Sequence, residues 1–241
     1  RIVRDAAVKA GAPENCIQFI EKPSMEGTHA LMNHDGVATI LATGGNAMVR
    51  AAYSCGKPAL GVGAGNVPAY VHKEAKLKQA VNDIVLSKAF DNGMICASEQ
   101  AAIVDKELYD EFVKTMKSHR VHFVNKKEKA KLENLLFGVE ANSENCAGAK
   151  LNSVIVGKPA TEIAKLAGFE VPKGTVILAA ECSEVGVKEP LTREKLSPVL
   201  AVLKSSSTKD GIEKARQMVE FNGLGHTAAI HTQNEEVAEE F

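Results

Sequence analysis

The chain has 241 residues, 45% hydrophobic and 24% charged, with 29 basic against 30 acidic side chains and a net charge of −1. That balance gives no field to draw nucleic acid or an anionic membrane, and no apolar run approaches the roughly 20 residues that cross a bilayer. The length allows one large domain or two modest ones. Tryptophan is absent and aromatics are only 5%, so the core is expected to be Ala, Val, Leu and Ile.

Read in chain order, helix and strand patterns alternate almost throughout, the signature of an α/β fold with a largely parallel sheet. Residues 1–10 read as a helix stopped at Gly11-Ala12-Pro13, and Ile17–Ile20 as a short strand. A helix over Met25–Met32 and a buried strand over Val37–Leu41 lead into Thr43-Gly44-Gly45 and a helix over Ala47–Tyr53. Strands follow at Ala59–Val62 and Pro68–Val71, then a long helix over Glu74–Ala89. Ala101–Val104 reads as a strand and Lys106–Ser118 as a helix carrying Leu108, Phe112 and Met116 on one face. Residues 125–150 begin charged and helical and turn polar and Gly-containing. Further strands are expected at Val154–Val156, Val176–Ala180, Val199–Leu203 and Thr227–His231, with a helix over Asp210–Glu220. Near residue 71 Gly-rich strand–turn–helix units give way to longer helices and loops, which sets the expected domain boundary: 1–71 and 72–241. The chain opens at Arg1 in a helical pattern already under way and closes at Phe241 inside another, so it reads as an internal piece of a longer protein. Neither end has the pattern of a signal peptide.

The five cysteines, Cys16, Cys55, Cys96, Cys146 and Cys182, form no CxxC pair. Reduced thiols in a cytoplasmic protein fit this better than a disulfide framework or a zinc site. Cys96 follows Asn92-Gly93 in a short loop and precedes Ala97-Ser98-Glu99. A tight turn with nearby backbone N–H groups stabilises a thiolate nucleophile, although most free cysteines are small buried hydrophobes. Cys16 is expected to start a strand, Cys55 to end a helix, and Cys146 and Cys182 to sit in polar loops.

Thr43-Gly44-Gly45-Asn46 runs from a strand into a helix through two glycines. Such a turn presents backbone N–H groups to a phosphate or nicotinamide, or is a plain connection. Gly61-Val62-Gly63-Ala64-Gly65-Asn66 is a further glycine cluster, read as a ligand-facing segment or, equally, as a pair of tight backbone packings beside a strand. His226, in Asn222-Gly223-Leu224-Gly225-His226-Thr227, sits in a loop able to present it to a cleft, or lies on the surface. His29 and His34 are poorly spaced for a metal, and His119 and His122 flank a polar turn.

Taken together, these segments resemble the aldehyde dehydrogenase superfamily, specifically the CoA-acylating part of the bifunctional aldehyde–alcohol dehydrogenases. The likeness runs in order along the whole chain: Ile40–Val49, Lys57–Pro68, Phe90–Gln100, Glu194–Pro198 and Gly223–Thr227. It implies a partial Rossmann-type cofactor domain followed by an α/β catalytic domain. Cys96 is then the nucleophile, Asn92 an oxyanion donor beside the Cys96 backbone N–H, and His226 the base for CoA or a tuner of the Cys96 thiolate. Thr43, Gly44, Gly45 and Glu194 become cofactor-binding residues, Glu194 through the nicotinamide ribose, with NAD as cofactor and CoA as co-substrate. Hydrolytic members carry a glutamate in the motif that reads here Gly61–Asn66, and no acidic residue lies between Lys57 and His72. General-base help is typically worth about 10²–10⁴-fold, so water is a poor acyl acceptor here, whereas a thiol needs less activation.

The resemblance therefore implies interconversion of acetaldehyde and acetyl-CoA through a Cys96 thioester, as in alcohol fermentation, by a homo-oligomer that forms filaments in the full-length protein. No metal is expected in this segment. The rival readings are a semialdehyde or acyl-phosphate reductase of the same superfamily, a plain NAD-binding module, and a non-catalytic structural piece.

Overall fold

The computed structural model describes residues 1–139, 146 and 149–241, so the polar, Gly-containing stretch expected after residue 139 lies largely outside it. The chain divides into two compact units, Arg1–Val62 and Gly63–Phe241.

The first unit contains α1 (Ile2–Lys9), α2 (Met25–Asn33), β1 (Ile40–Thr43), α3 (Asn46–Ser54) and β2 (Ala59–Val62). Ser24 caps α2 by accepting from the Gly27 N–H at 2.9 Å, the usual remedy for an unpaired donor in a first helical turn. Strands β1 and β2 pair in parallel from Ile40–Ala59 to Thr43–Val62, with α3 as the crossover. A small core of Met32, Ile40, Ala42 and Ala52 holds this unit together. Gly61 makes room for α3: a Cβ there would fall about 3.0 Å from the Tyr53 ring and closer still to Val49.

The second unit has β3 (Pro68–Val71), α4 (Leu77–Ala89), β4 (Ala101–Asp105), α5 (Tyr109–Ser118), β5 (Val121–Phe123) and α6 (Lys126–Phe137). They are followed by α7 (Ala160–Leu166), β6 (Ile177–Cys182), β7 (Val199–Ser205), α8 (Thr208–Asn222), β8 (Ala229–His231) and α9 (Glu235–Glu240). The six strands form one sheet in the order β5-β6-β7-β4-β3-β8, every adjacent pair parallel.

Both faces of the sheet are buried, which is why its strands read as continuous apolar runs rather than alternating ones. Ala101, Ile103, Leu178, Val199 and Leu203 face a core shared with Leu132 and Leu136 of α6, Ile163 of α7 and Met218 of α8. Their sequence neighbours Ala102, Val104, Ala179, Leu200 and Val202 face the opposite core, with Val81 and Ile84 of α4 and Phe112 and Met116 of α5. Each fully buried aliphatic or aromatic side chain contributes roughly 1.5–3 kcal/mol, so this sandwich is the main store of stability. Alpha8 crosses so near β3 that a Cβ on Gly211 would overlap the Tyr70 ring.

Several expectations are corrected. The boundary falls at 62/63 instead of 71, because Pro68–Val71 is an interior strand of the six-stranded sheet. Ile17–Ile20 is not a strand: it is exposed and has no pairing partner among the described residues. Cys16 therefore starts no strand. Val154–Val156 is replaced by a single 3-10 turn over Ser153–Ile155, capped by the Asn152 side chain. Cys182 ends β6 and is buried, as is Cys146; burial pushes the Cys182 thiol up to about 12 and makes it inert. The short strand β5 and the helix α7 were not anticipated.

Candidate active site

The candidate residues of the second unit gather at the amino ends of its strands. Gly65–Val67 leads into β3, Cys96–Gln100 into β4, Glu194–Pro198 into β7 and His226–Thr227 into β8. Since β3, β4, β7 and β8 are parallel and close together in the sheet, the four lead-in segments converge by topology alone.

The loop bearing Cys96 begins with a rare conformation. Asp91 (φ 48°, ψ 36°), Asn92 (φ 50°, ψ 37°) and Gly93 (φ 67°) are consecutive left-handed residues. Left-handed backbone costs most L-residues about 1–2 kcal/mol each, and Asp, Asn and Gly are the types that tolerate it best. Three contacts hold the turn. Gly93 lies against the backbone of Ser197, where a Cβ would come within 2.5 Å of the carbonyl oxygen. The Asn92 amide donates to the Gly157 carbonyl at 2.9 Å, and the Ser98 hydroxyl donates to the Gly93 carbonyl at 3.2 Å. A second turn, closed by the Ser98 N–H on the Ile95 carbonyl at 2.9 Å, leaves half-exposed Cys96 at its corner. The Asn92 amide thus commits one of its two N–H donors to anchoring the loop.

Gly65 brings three candidates together. Its N–H donates to Glu194 Oε1 at 2.9 Å. A Cβ on it would lie 3.0 Å from Nε2 and Cε1 of His226 and inside contact distance of the Cys96 carbonyl. Only glycine lets these segments close to this spacing. His226 Nδ1 lies 3.0 Å from Thr227 Oγ1, which leaves Nε2 on the side facing Gly65. Burial raises the pKa of half-buried Glu194, opposed by the Gly65 N–H and by the charges of His226, Lys195 and Lys88. Next to Gly65, buried Asn66 ties the loops together by donating to the carbonyls of Thr192 and Met218, both at 2.9 Å. Gly223 packs directly on the Asn66 backbone, which fixes the start of the loop carrying His226.

Behind the loops lies a polar cluster that sequence reasoning missed. Lys88 and Lys195 are both fully buried. Lys195 Nζ donates to the carbonyls of Gln100, Leu191 and Arg193 at 3.0, 2.7 and 2.8 Å, one for each ammonium proton. Burial and the neighbouring Lys88 charge push its pKa down; the three carbonyls favour the charged form, which we assign. Burial drives Lys88 to about 7, against the pull of Glu99 and Glu194. A lysine in the last turn of a helix ordinarily reads as a solvated partner of the helix dipole, and no sequence signal marked Lys88 as buried.

In the first unit, Thr43, Gly44 and Gly45 join β1 to α3. Gly44 donates its N–H to the Val62 carbonyl at 3.1 Å, and Gly45 is the N-cap without a side-chain partner. A Cβ on Gly45 would meet nothing within 4 Å, so the first turn of α3 is open to an incoming group. A cleft of about 360 Å³ runs beside β1, lined by Thr28, Leu31, Met32, Val37, Thr39–Thr43 and Met48. Thr43–Gly45 and Cys96–His226–Glu194 are each organised within their own unit.

Comparison with known proteins identifies the family. The aldehyde dehydrogenase family model matches residues 2–241. An aldehyde-alcohol dehydrogenase of Streptococcus pneumoniae is 76% identical over all 241 residues, which cover 27% of its length. A crystal structure of an acetylating aldehyde dehydrogenase from Geobacillus thermoglucosidasius superposes with a TM-score of 0.90 at 44% identity, over 99% of this chain and 51% of that one. A Rhodopseudomonas palustris propionaldehyde dehydrogenase, solved with bound CoA and an acylated cysteine, superposes with a TM-score of 0.83 at 28% identity, over 99% of this chain and 52% of that one. The chain spans about a quarter of the first relative and half of each solved protein. With its matched sequence, its fold and its ordered motifs in agreement, the chain belongs to the aldehyde dehydrogenase family.

Proposed function

We propose that the protein interconverts acetaldehyde and acetyl-CoA, with the acyl group carried as a thioester on Cys96 and a nicotinamide cofactor, NAD, exchanging the hydride. The observation that carries this reading is the approach of the Cys96 carbonyl and the His226 ring to the same side of Gly65, whose N–H also engages Glu194. The S. pneumoniae and G. thermoglucosidasius relatives support the reaction class, and the CoA-bound, acylated R. palustris enzyme supports the acyl acceptor.

The residues fit the cofactor in two places. Thr43–Gly45 leads into an open first helical turn with no side-chain cap, favourable to an anionic or amide-bearing ligand. Glu194 has one carboxylate oxygen held by Gly65, leaving the other for the ribose hydroxyls. The cofactor supplies a hydride acceptor in one direction and a donor in the other.

In the oxidative direction the Cys96 thiolate adds to the aldehyde carbonyl carbon, and the charge moves to oxygen. The Cys96 backbone N–H, at the corner of its turn, stabilises that oxyanion; loss of one such donor typically costs about 2.7–4 kcal/mol. After loss of hydride from carbon the carbonyl re-forms as a Cys96 thioester. His226 Nε2 then takes the proton of the CoA thiol, the CoA sulfur attacks the carbonyl, and the Cys96 thiolate leaves. Gly65 occupies the corner between Cys96 and His226 with no side chain to position a water, which favours CoA over water as acceptor.

Mass spectrometry of the intact protein after incubation with acetyl-CoA tests this. Wild type gains about 42 Da, Cys96→Ala does not, and free CoA reverses the adduct. A folded wild type that gains no acetyl group overturns the reading.

A further inference from the structure

We propose that Lys88 is a positioning residue for Glu194, acting through a clasp of Lys88, Gln100 and Lys195 that seats the Glu194 carboxylate beside buried positive charge. The inference rests on the proposed cofactor role of Glu194 and deepens it.

The geometry is continuous from one residue to the next. Gln100 Oε1 accepts both the backbone N–H of Lys195, at 3.0 Å, and Lys88 Nζ, at 3.4 Å. The first of these bonds fixes the peptide joining Glu194 to Lys195, so the Gln100 side chain anchors the Glu194 backbone at its carboxyl side. Lys195 Nζ closes the clasp on the Gln100 carbonyl at 3.0 Å. Gln100 is itself pinned, its amide donating to the Ser98 carbonyl at 3.0 Å, two residues after Cys96. One fully buried side chain therefore couples the nucleophile segment to the Glu194 segment.

The charges are arranged to match. Lys88 is faced by Glu99 and Glu194 and by the like charge of Lys195. Glu194 is faced by the Gly65 N–H and by His226, Lys195 and Lys88. Burial alone would favour a neutral Glu194, which accepts from Gly65 and a ribose less strongly. Lys88 reaches the cluster from α4, has no other hydrogen bond among the described residues, and Gln100 holds it in place. A hydrophobic residue would fill that space more cheaply if packing were its only task.

The test follows Glu194 itself. Carboxyl carbon NMR of the ligand-free protein, with the signal assigned by Glu194→Gln, gives the Glu194 titration in wild type, Lys88→Met and Lys88→Arg. Lys88→Gln replaces Lys88→Met if the latter does not fold. The neutral substitution raises the Glu194 pKa by roughly one unit, the effect of removing a nearby opposite charge, and Lys88→Arg restores it. Calorimetric NAD binding then weakens on the acid side at correspondingly higher pH in the neutral variant. An unchanged Glu194 titration in a folded neutral variant overturns the inference and leaves acetyl transfer to Cys96 standing. A wild type that takes no acetyl group overturns the functional reading, while the Glu194 titration still decides the role of Lys88.

Discussion

The two ends of the six-stranded sheet are built on opposite plans. At the carboxyl ends of β3, β4 and β7, Asp105 accepts from the Tyr70 hydroxyl at 2.9 Å, from the Lys73 N–H at 2.8 Å and from the Ser205 hydroxyl. Beside it, His72 reaches Thr232 and Thr208 at 3.0 and 3.2 Å. Tyr70, His72, Asp105 and Ser205 are all buried and all bonded. The amino end has left-handed backbone at Asp91, Asn92, Gly93 and Leu196, half-exposed Cys96 and His226, and buried Asn66 Oδ1 and Ser197 Oγ with no hydrogen-bond partner among the described residues. One end saturates its polar groups and the other leaves some unsatisfied. Strain and open valence collect where chemistry is expected, and a closed network at the far end helps stabilise the fold that carries them.

Substitutions can break this contrast, beginning with the largest expected effect. Cys96→Ala removes the nucleophile and lowers acyl transfer by about 10⁴-fold or more, read by CoA-dependent turnover, with no change in unfolding midpoint. His226→Ala lowers transfer to CoA by about 10³-fold. If single-turnover hydride release is hardly affected, His226 acts on CoA; if both steps fall together, it tunes the Cys96 thiolate. Gly65→Ala drives a methyl group into the Cys96 carbonyl and the His226 ring, and displacement of that order costs roughly 10²-fold in turnover. At the other end, Asp105→Ala leaves three donors without their acceptor. The expected cost is about 3 kcal/mol in urea unfolding, with acetylation per folded molecule unchanged. A loss of acetylation larger than the loss of folded protein would show that the two ends are not independent.

The smallest effect sharpens the contrast by pH. Lys88 is held near 7 in the folded protein, below the 10.5 of an exposed lysine. Between those values the unfolded chain binds the extra proton, so this group makes stability rise with pH from about 7 toward 10. Lys88→Met removes that contribution and flattens the rise, as urea midpoints at pH 7 and pH 9 would show. An identical slope in the two proteins would mean that Lys88 stays charged in the fold.

The buried sheet was legible because strands covered on both faces leave apolar runs: the readings around Pro68–Val71, Ala101–Val104 and Val199–Leu203 match its strands to within two residues. Other elements were not legible, for particular reasons. Ile17–Ile20 has the composition of a strand, and pairing is not written in composition. Val154–Val156 is equally apolar, yet Asn152 caps a turn there. The boundary was set nine residues late because a change in pattern does not say which sheet a strand joins. At the site, the glycines around Cys96 and His226 pointed to close approach, and Gly65 and Gly93 provide it. The Lys88–Gln100–Lys195 clasp left no trace in the sequence, since charged and amide side chains read as surface until their burial is seen.

Each reactive segment in the second unit runs straight into a strand of the parallel sheet. Inserting or deleting one residue between Cys96 and Ala101, or between Glu194 and Val199, either shifts the reactive group along the loop or slips the strand by one position. A slip of one sends every side chain of that strand to the wrong core. The spacing from reactive residue to strand is therefore held by the sheet, while the identities of the loop residues are not. New chemistry can enter this scaffold by exchanging side chains, and changes of length are confined to the connections at the opposite end of the strands.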